Sequence, residues 1–280
     1  MRLTLLVCLA IAGGCAPRPE PLRMATTTSV DNSELLASIL PAFTAESRVV
    51  VDVLPVGSGQ AMNLVKRGDA AVALTHDPQA EAGAIAAGIV SDYRKIMFND
   101  FLVVGPPDDP AGVSHASDAA DAFARIARTG AAFVSRGDNS GTFTREQTLW
   151  NEAGSRPAAG RVIETGQGMA ATLRVANEKS AYTLTDRATF EQIRRQTRLA
   201  PLHEGGADLL NTYAVFIRAG LSGHERDTAR ALVHWLSDGD GRRRIAAFVV
   251  NGRAVFNVWP EGIPRDAPAD LPPGVLAHVR

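Results

Sequence analysis

A recurring unit constrains this chain more than any other feature: a short β-branched or apolar run, a turn of glycine and small hydroxyls, then a stretch of helical periodicity. Residues 22–25, 49–56 and 71–74 read as strands, and each leads through such a turn into a helix. The first helix sets Leu35, Leu36, Ile39, Leu40 and Phe43 on one face, the spacing of a buried stripe, and Pro41 within it is expected to bend or interrupt it. Residues 60–67 form the second helix, and an alanine-rich third starts at Pro78. Strand, turn and helix in this order predict parallel βαβ units and hence an α/β fold.

The apolar run 101–104 meets a strong break at Gly105-Pro106-Pro107-Asp108-Asp109-Pro110, after which a second series begins. It holds a helix over 118–128, a strand over 132–134, a helix from Gly141, a turn at 165–168 with its own helix, and a strand at 181–184. A further strand, 211–218, precedes two helices, one carrying Ala231, Leu232 and Trp235, the other Ile245 and Phe248. Trp150 and Trp235 fit helix faces and are expected in the core, while Trp259, in a proline-rich tail, is left open. The break near 105 and the return near 210 predict one lobe of residues 23–104 plus 210–280 and an inserted lobe of residues 105–209. Two strands would cross between the lobes, and ligands favour the cleft that such an arrangement leaves.

Of the 280 residues 45% are hydrophobic and 21% charged, and the formal charge is −1, so no basic field invites nucleic acid or a membrane surface. Arg2 followed by the apolar residues 3–12 is too short to span a bilayer. Small residues then lead to Cys15, a pattern that resembles a bacterial lipobox, although Ala12 stands where leucine is usual. Residues 1–15 are thus expected to be a signal peptide with lipobox, Cys15 the lipidated residue, and 16–22 a proline-rich tether. A plain signal peptide cut nearby is the competing reading. Both predict an exported protein of the periplasm or cell envelope, and the first predicts a lipid anchor. With Cys8 in the removed segment, neither a disulfide framework nor a cysteine metal site is available.

The turns carry the chemistry. Ser135-Arg136-Gly137-Asp138-Asn139-Ser140-Gly141-Thr142 places a guanidinium and several hydroxyls at a helix start, where unpaired N–H groups and a partial positive charge hold anions. A routine helix cap by Asn139 or Ser140 is the competing reading. Thr26-Thr27-Thr28-Ser29, Gly57-Ser58-Gly59 and Thr165-Gly166-Gln167-Gly168 repeat the same chemistry, and four such turns are hard to explain as caps alone. His76 has no second histidine or cysteine at ligand spacing, so it is expected at the surface or behind the site, and no metal is predicted. An enzyme using Ser140 or Ser58 as nucleophile would need a nearby base, and the Gly-x-Ser-x-Gly elbow is absent from the sequence.

In order along the chain, the Thr26 to Ser29 turn, Val56-Gly57-Ser58-Gly59-Gln60-Ala61, Phe98-Asn99-Asp100-Phe101, the Ser135 to Thr142 turn, Thr165-Gly166-Gln167-Gly168-Met169 and Tyr182-Thr183-Leu184-Thr185-Asp186-Arg187 together resemble the tungstate-binding components of ABC importers. The resemblance implies a two-lobed periplasmic-binding-protein fold (type II), each lobe a central sheet flanked by helices, with two crossing hinge strands. It implies capture of tungstate, with molybdate the close rival, by a monomer that delivers it to the membrane subunits of an ABC permease, without a cofactor. The oxyanion-binding residues it implies are Thr27, Thr28, Ser29, Ser58, Arg136, Ser140, Gly141, Thr142, Gly166 and Gln167. Asp138 and Asp186 are expected to orient Arg136 and the turns from behind. The Arg136 segment also resembles the anion loop of phosphate binders, so a phosphate- or sulfate-type binder and a sensory anion-binding lobe are the alternatives. Asp77 bears on the choice: a carboxylate facing a dianion is costly, whereas hydrogen phosphate needs an acceptor. Asp77 is expected instead to cap the helix starting at Pro78.

Overall fold

The computed structural model describes residues 20–266 except 139; the expected signal peptide, Cys15, most of the tether and the last part of the tail lie outside the described residues. The first half comprises β1 (Leu22–Thr27), α1 (Thr28–Asn32), α2 (Leu35–Ser47), β2 (Val51–Val56), α3 (Ser58–Arg67), β3 (Val72–Thr75), α4 (Pro78–Ala86) and β4 (Val90–Gly105). Then come α5 (Ala119–Thr129), β5 (Phe133–Ser135), α6 (Gly141–Glu152), β6 (Val162–Glu164), α7 (Met169–Lys179), β7 (Thr183–Asp186), α8 (Arg187–Ile193) and β8 (Ala200–Glu204). The chain returns through β9 (Leu210–Arg218), α9 (Gly223–Ser237), α10 (Asp240–Ala247), β10 (Val249–Val250), β11 (Arg253–Ala254) and β12 (Asn257–Val258).

β1, β2 and β3 are parallel, with Thr27 opposite Val56 and Thr26 opposite Leu74, so their carboxyl ends and following turns share one edge of the sheet. β9 interrupts the parallel order, lying antiparallel between β3 and β4, and β12 closes the edge beyond β4. β4 belongs to both lobes. As far as Asp100 it pairs with β9; Phe101 to Val104 pair with β7, and Leu102 to Gly105 with β8. The change of partner falls between Asp100 and Phe101, whereas the expected lobe boundary lies at 104/105. A bridge from Phe133 to Tyr182 ties β5 to β7, and β6 pairs parallel to β5. The fold is two-lobed α/β, each lobe a sheet between helices, with β4 and the leg from β8 to β9 crossing between them.

Alternation along the strands explains the layers, because successive side chains point to opposite faces. In β1, Met24 packs with Leu36, Phe43, Val72 and Trp235 on one face, and Ala25 with Ala61, Val65 and Phe216 on the other. In the second half of β4, Phe101 and Val103 join Phe123, Phe133 and Trp150, while Leu102 and Val104 join Val134, Leu173 and Phe190. Strands covered on both faces read as unbroken apolar runs, which is why 101–104 is conspicuous in the sequence.

Two local expectations are corrected, and one open position is placed. Pro41 does not interrupt α2, which continues from Leu35 to Ser47. Pro41 and Ala37, whose carbonyl loses its amide partner, are both exposed, so water can satisfy it while Leu36, Ile39, Leu40 and Phe43 stay buried. The break comes earlier, at Glu34, whose φ of 63° separates α1 from α2. β4 begins eleven residues before the run that betrays it, since Ser91, Asp92, Arg94, Lys95, Asn99 and Asp100 disguise a strand. Lys95 is fully buried there, its Nζ donating to Thr212 Oγ1 at 2.9 Å and lying 5.2 Å from the ring centre of Trp259. That contact places Trp259 in the interior, edge-on to Phe98.

Candidate anion-binding site

Turns at the ends of parallel strands carry the expected site residues, and two of those in the second lobe approach the first, Gly141 at His76 and Gly168 at Thr28. Thr27 closes β1 and caps α1, its Oγ1 accepting the N–H of Val30 at 3.3 Å. Ser29 is buried, its Oγ 3.1 Å from Thr27 Oγ1 and 3.1 Å from His76 Nε2, while Thr28 is half-buried. Because Val56 lies opposite Thr27, Ser58 opens α3 beside this turn. Gly57 offers α3 no side-chain cap, and the Ser58 hydroxyl is buried without a hydrogen-bond partner among the described residues.

From the other lobe, Arg136 follows β5 and is only 3% exposed. Its Nε and Nη2 donate to Asp138 Oδ2 at 3.1 and 2.5 Å, leaving three of its five N–H groups for other acceptors. Asp138 Oδ1 accepts the Ser140 N–H at 3.2 Å, and Ser140 caps α6 by accepting from Phe143 N. Thr142 Oγ1 is buried and, among the described residues, unpartnered. Leaving a buried hydroxyl unpaired costs about 1–3 kcal/mol, so the two orphans from opposite lobes are an energetic liability until an acceptor reaches them.

The lobes touch at two glycines. A Cβ on Gly141 would stand 2.8 Å from the carbonyl oxygen of His76, so α6 can seat against β3 only with glycine there. At Gly168 a Cβ would lie 3.8 Å from Thr28 Oγ1, so the β6–α7 turn faces the first turn with room to spare. Gly166 and Gln167 are exposed on the rim of that turn, whose backbone is held by Gly166 N–H on Arg136 O at 2.8 Å.

Two of the carboxylates are helix caps. Asp77 Oδ1 accepts the Ala80 N–H at 3.0 Å with Pro78 at the first helical position, so it caps α4. Asp186 is fully buried and caps α8 through Thr189 N–H at 2.8 Å. Burial pushes its carboxyl up, and the Arg136 charge draws it partly back, so the two interact through space. Glu146, under the turn on α6, accepts the Ser135 hydroxyl at 2.8 and 2.9 Å, and desolvation pushes its carboxyl up to about 7.

His76, expected at the surface or behind the site, is buried behind the first turn. It is 3% exposed, its ring lies tilted 5.0 Å from the Tyr213 ring centre, and its Nδ1 lies 2.9 Å from Asn211 Oδ1. Ser29, His76 and Asn211 thus line up as a hydroxyl, an imidazole and an orienting group, the geometry that activates a nucleophile elsewhere. Burial, however, lowers the ring to about 4, which makes it a weak base at neutral pH. Only the strand 211–218 hinted at Asn211, and nothing local connects it to a histidine 135 residues away. A cavity of about 170 Å³ lies beside His76 between the first turns of α4 and α6, with Asp77, Gly141, Arg145 and Asn211 on its walls.

Two α/β lobes crossed by paired strands, with donor-rich turns meeting between them, define the class of cleft-closing solute-binding proteins. A PBP superfamily domain matches residues 15–238. The tungstate-binding protein TupA of Peptoclostridium acidaminophilum is 36% identical over 228 residues, covering 76% of this chain and 80% of that protein. Among solved structures, the tungstate ABC transporter protein of Geobacter sulfurreducens is 39% identical with a TM-score of 0.74, covering 82% of this chain and 99% of that one. TupA of Desulfovibrio alaskensis G20 is 35% identical with a TM-score of 0.73, covering 86% and 100%. The chain belongs to the periplasmic-binding-protein superfamily and, within it, to the family of tungstate-binding components of ABC transporters.

Proposed function

We propose that this chain is the exported solute-binding component of an ABC importer and that it captures tungstate, with molybdate the close rival, for delivery to the permease membrane subunits. The lobes, residues 23–104 with 210–280 and residues 105–209, close on the ion, and ligand favours that state through contacts available only in it. The observation that carries the reading is the pair of buried, unpartnered hydroxyls, Ser58 and Thr142, one from each lobe, with Arg136 buried in the second. Thr28, Ser140 and Gly141 complete the pocket, with the exposed Gly166–Gln167 turn at its rim. A fully deprotonated dianion asks for donors alone. Asp77, the carboxylate that bears on hydrogen phosphate, commits Oδ1 to the α4 cap. Lipidation at Cys15 would hold the monomer at a membrane surface; a Cys15→Ala protein found only in the soluble envelope fraction would support that anchor.

Titration calorimetry of the lipid-free protein with tungstate, molybdate, sulfate and phosphate tests the ligand. Tight binding of tungstate with weak or undetectable phosphate binding is the expected result. Tight binding of phosphate alone would overturn the ligand and spare the fold.

A further inference from the structure

The anion-binding reading leaves open why Ser29, with its hydroxyl in the first turn, sits beside a histidine. We propose that His76 is a positioning residue: it draws the hydroxyl protons of Ser29 and, through it, Thr27 into the protein, leaving Ser58 and Thr142 as the side-chain hydroxyls that donate to the anion. The inference rests on that anion-binding reading and removes Thr27 and Ser29 from the direct contacts the family resemblance implies.

The proton directions follow from the hinge inward. Asn211 Nδ2 lies 2.9 Å from Asn99 Oδ1 and 2.8 Å from the Tyr213 hydroxyl, so the amide NH₂ faces these two oxygens and its carbonyl faces His76. A carbonyl oxygen only accepts, so His76 Nδ1, 2.9 Å away, carries the ring proton. The buried ring is neutral at pH 7, and its Nε2 is therefore bare. Ser29 must donate to that nitrogen across 3.1 Å. Its oxygen can then only accept from Thr27, also 3.1 Å away, while Thr27 in turn accepts from Val30 N–H. Every proton along the chain of hydrogen bonds from Val30 to Asn211 is thus committed to an acceptor within the protein. The same relay explains the nucleophile-like geometry without catalysis, because it serves to fix a hydroxyl rather than to ionise it. Ser58 and Thr142 have no such acceptor among the described residues.

Tungstate titrations of Ser29→Ala, Ser58→Ala and Thr142→Val, beside the wild type, test the assignment. Ser58→Ala and Thr142→Val are expected to weaken binding roughly 10- to 100-fold, as loss of a buried hydrogen bond to a charge does, and Ser29→Ala by less than about threefold. A Ser29→Ala loss equal to that of Ser58→Ala overturns the proposal. Wild-type protein that binds none of tungstate, molybdate, sulfate and phosphate would instead sink the anion reading itself. A nitrogen-15 spectrum of histidine-labelled protein supplies a readout independent of affinity. His76 protonated at Nδ1 and bare at Nε2, with and without tungstate, is expected; the opposite tautomer overturns the relay.

Discussion

The starts of α4 and α6 lie on either side of His76, yet their chemistry is opposite. At α4 the free N–H groups are answered by a carboxylate, Asp77, as Asp118 answers those of α5 and Asp186 those of α8. At α6 the cap is the neutral Ser140, and at α3 and α7 it is glycine with no side-chain bond at all. An aspartate cap stabilises a helix by supplying negative charge to its positive end. On the proposed function, α3, α6 and α7 forgo that gain, which would keep their positive ends available to a negatively charged guest. α9 and α10, which begin at Ser222 and Gly239 without a side-chain bond, show that a neutral cap alone does not mark such a turn; the hydroxyls and Arg136 beside it do.

The largest expected effect comes from removing the cation among the neutral caps. Arg136→Ala should weaken tungstate binding by about 2–5 kcal/mol, the loss typical of a buried charged partner, with calorimetry as the check. Unchanged affinity would break the comparison, because the turn around α6 would then not face the ligand.

Glu146 offers the next test, since it is the carboxyl kept beneath the α6 turn rather than at its cap. Its folded value of about 7 lies above the ordinary 4.5, so the folded state holds the extra proton between those values. Stability should therefore fall as pH rises from about 4.5 to 7 and stay reduced above, by up to about 3 kcal/mol. The groups facing it are Ser135 on β5, Trp150 and Gln147 on its own helix, Glu164 on β6 and Arg156. Denaturant unfolding of Glu146→Gln across pH 5 to 8 should flatten the slope and raise stability at pH 8; an unaltered slope would refute the assignment.

Transplanting an aspartate cap sharpens the contrast. Gly168 has extended backbone angles and room for a Cβ, so Gly168→Asp should fold normally while setting a carboxylate opposite Thr28. Tungstate affinity should drop about tenfold, 1.4 kcal/mol, with the melting temperature preserved. The smallest effect is the converse. Asp77→Ala should cost about 1 kcal/mol of stability and leave tungstate affinity unchanged; a large affinity change would place Asp77 at the ligand after all.

The caps were visible in the sequence, which is why the turns at Thr27, Ser58, Arg136 and Gly168 could be singled out: hydroxyl, glycine and arginine choices at strand ends are local. What was hidden depends on distant partners. Lys95 looks like a solvated charge until Thr212 and Trp259 enclose it, and with it the polar first half of β4. α8 is seven residues long, too short to show a helical period, and its faces split between the two lobes, with Ala188 in one core and Phe190 in the other. His76 could be located only by Asn211 and Tyr213, brought beside it by the antiparallel insertion of β9 between β3 and β4, which no turn residue announces. Gln167, by contrast, belongs to a legible turn, but a motif does not say which of its residues points outward.

β4 passes from one lobe to the other without a break, bonded on both sides of the crossing and irregular in register between Ser91 and Arg94, between Lys95 and Met97, and again opposite β8 between Val103 and Val104. If the lobes open as proposed, a connector of this kind would flex like a leaf spring, sharing the strain among many small changes in twist instead of swinging about one loose joint. The jaws would then stay in line as they part, still aimed at each other once an ion has left.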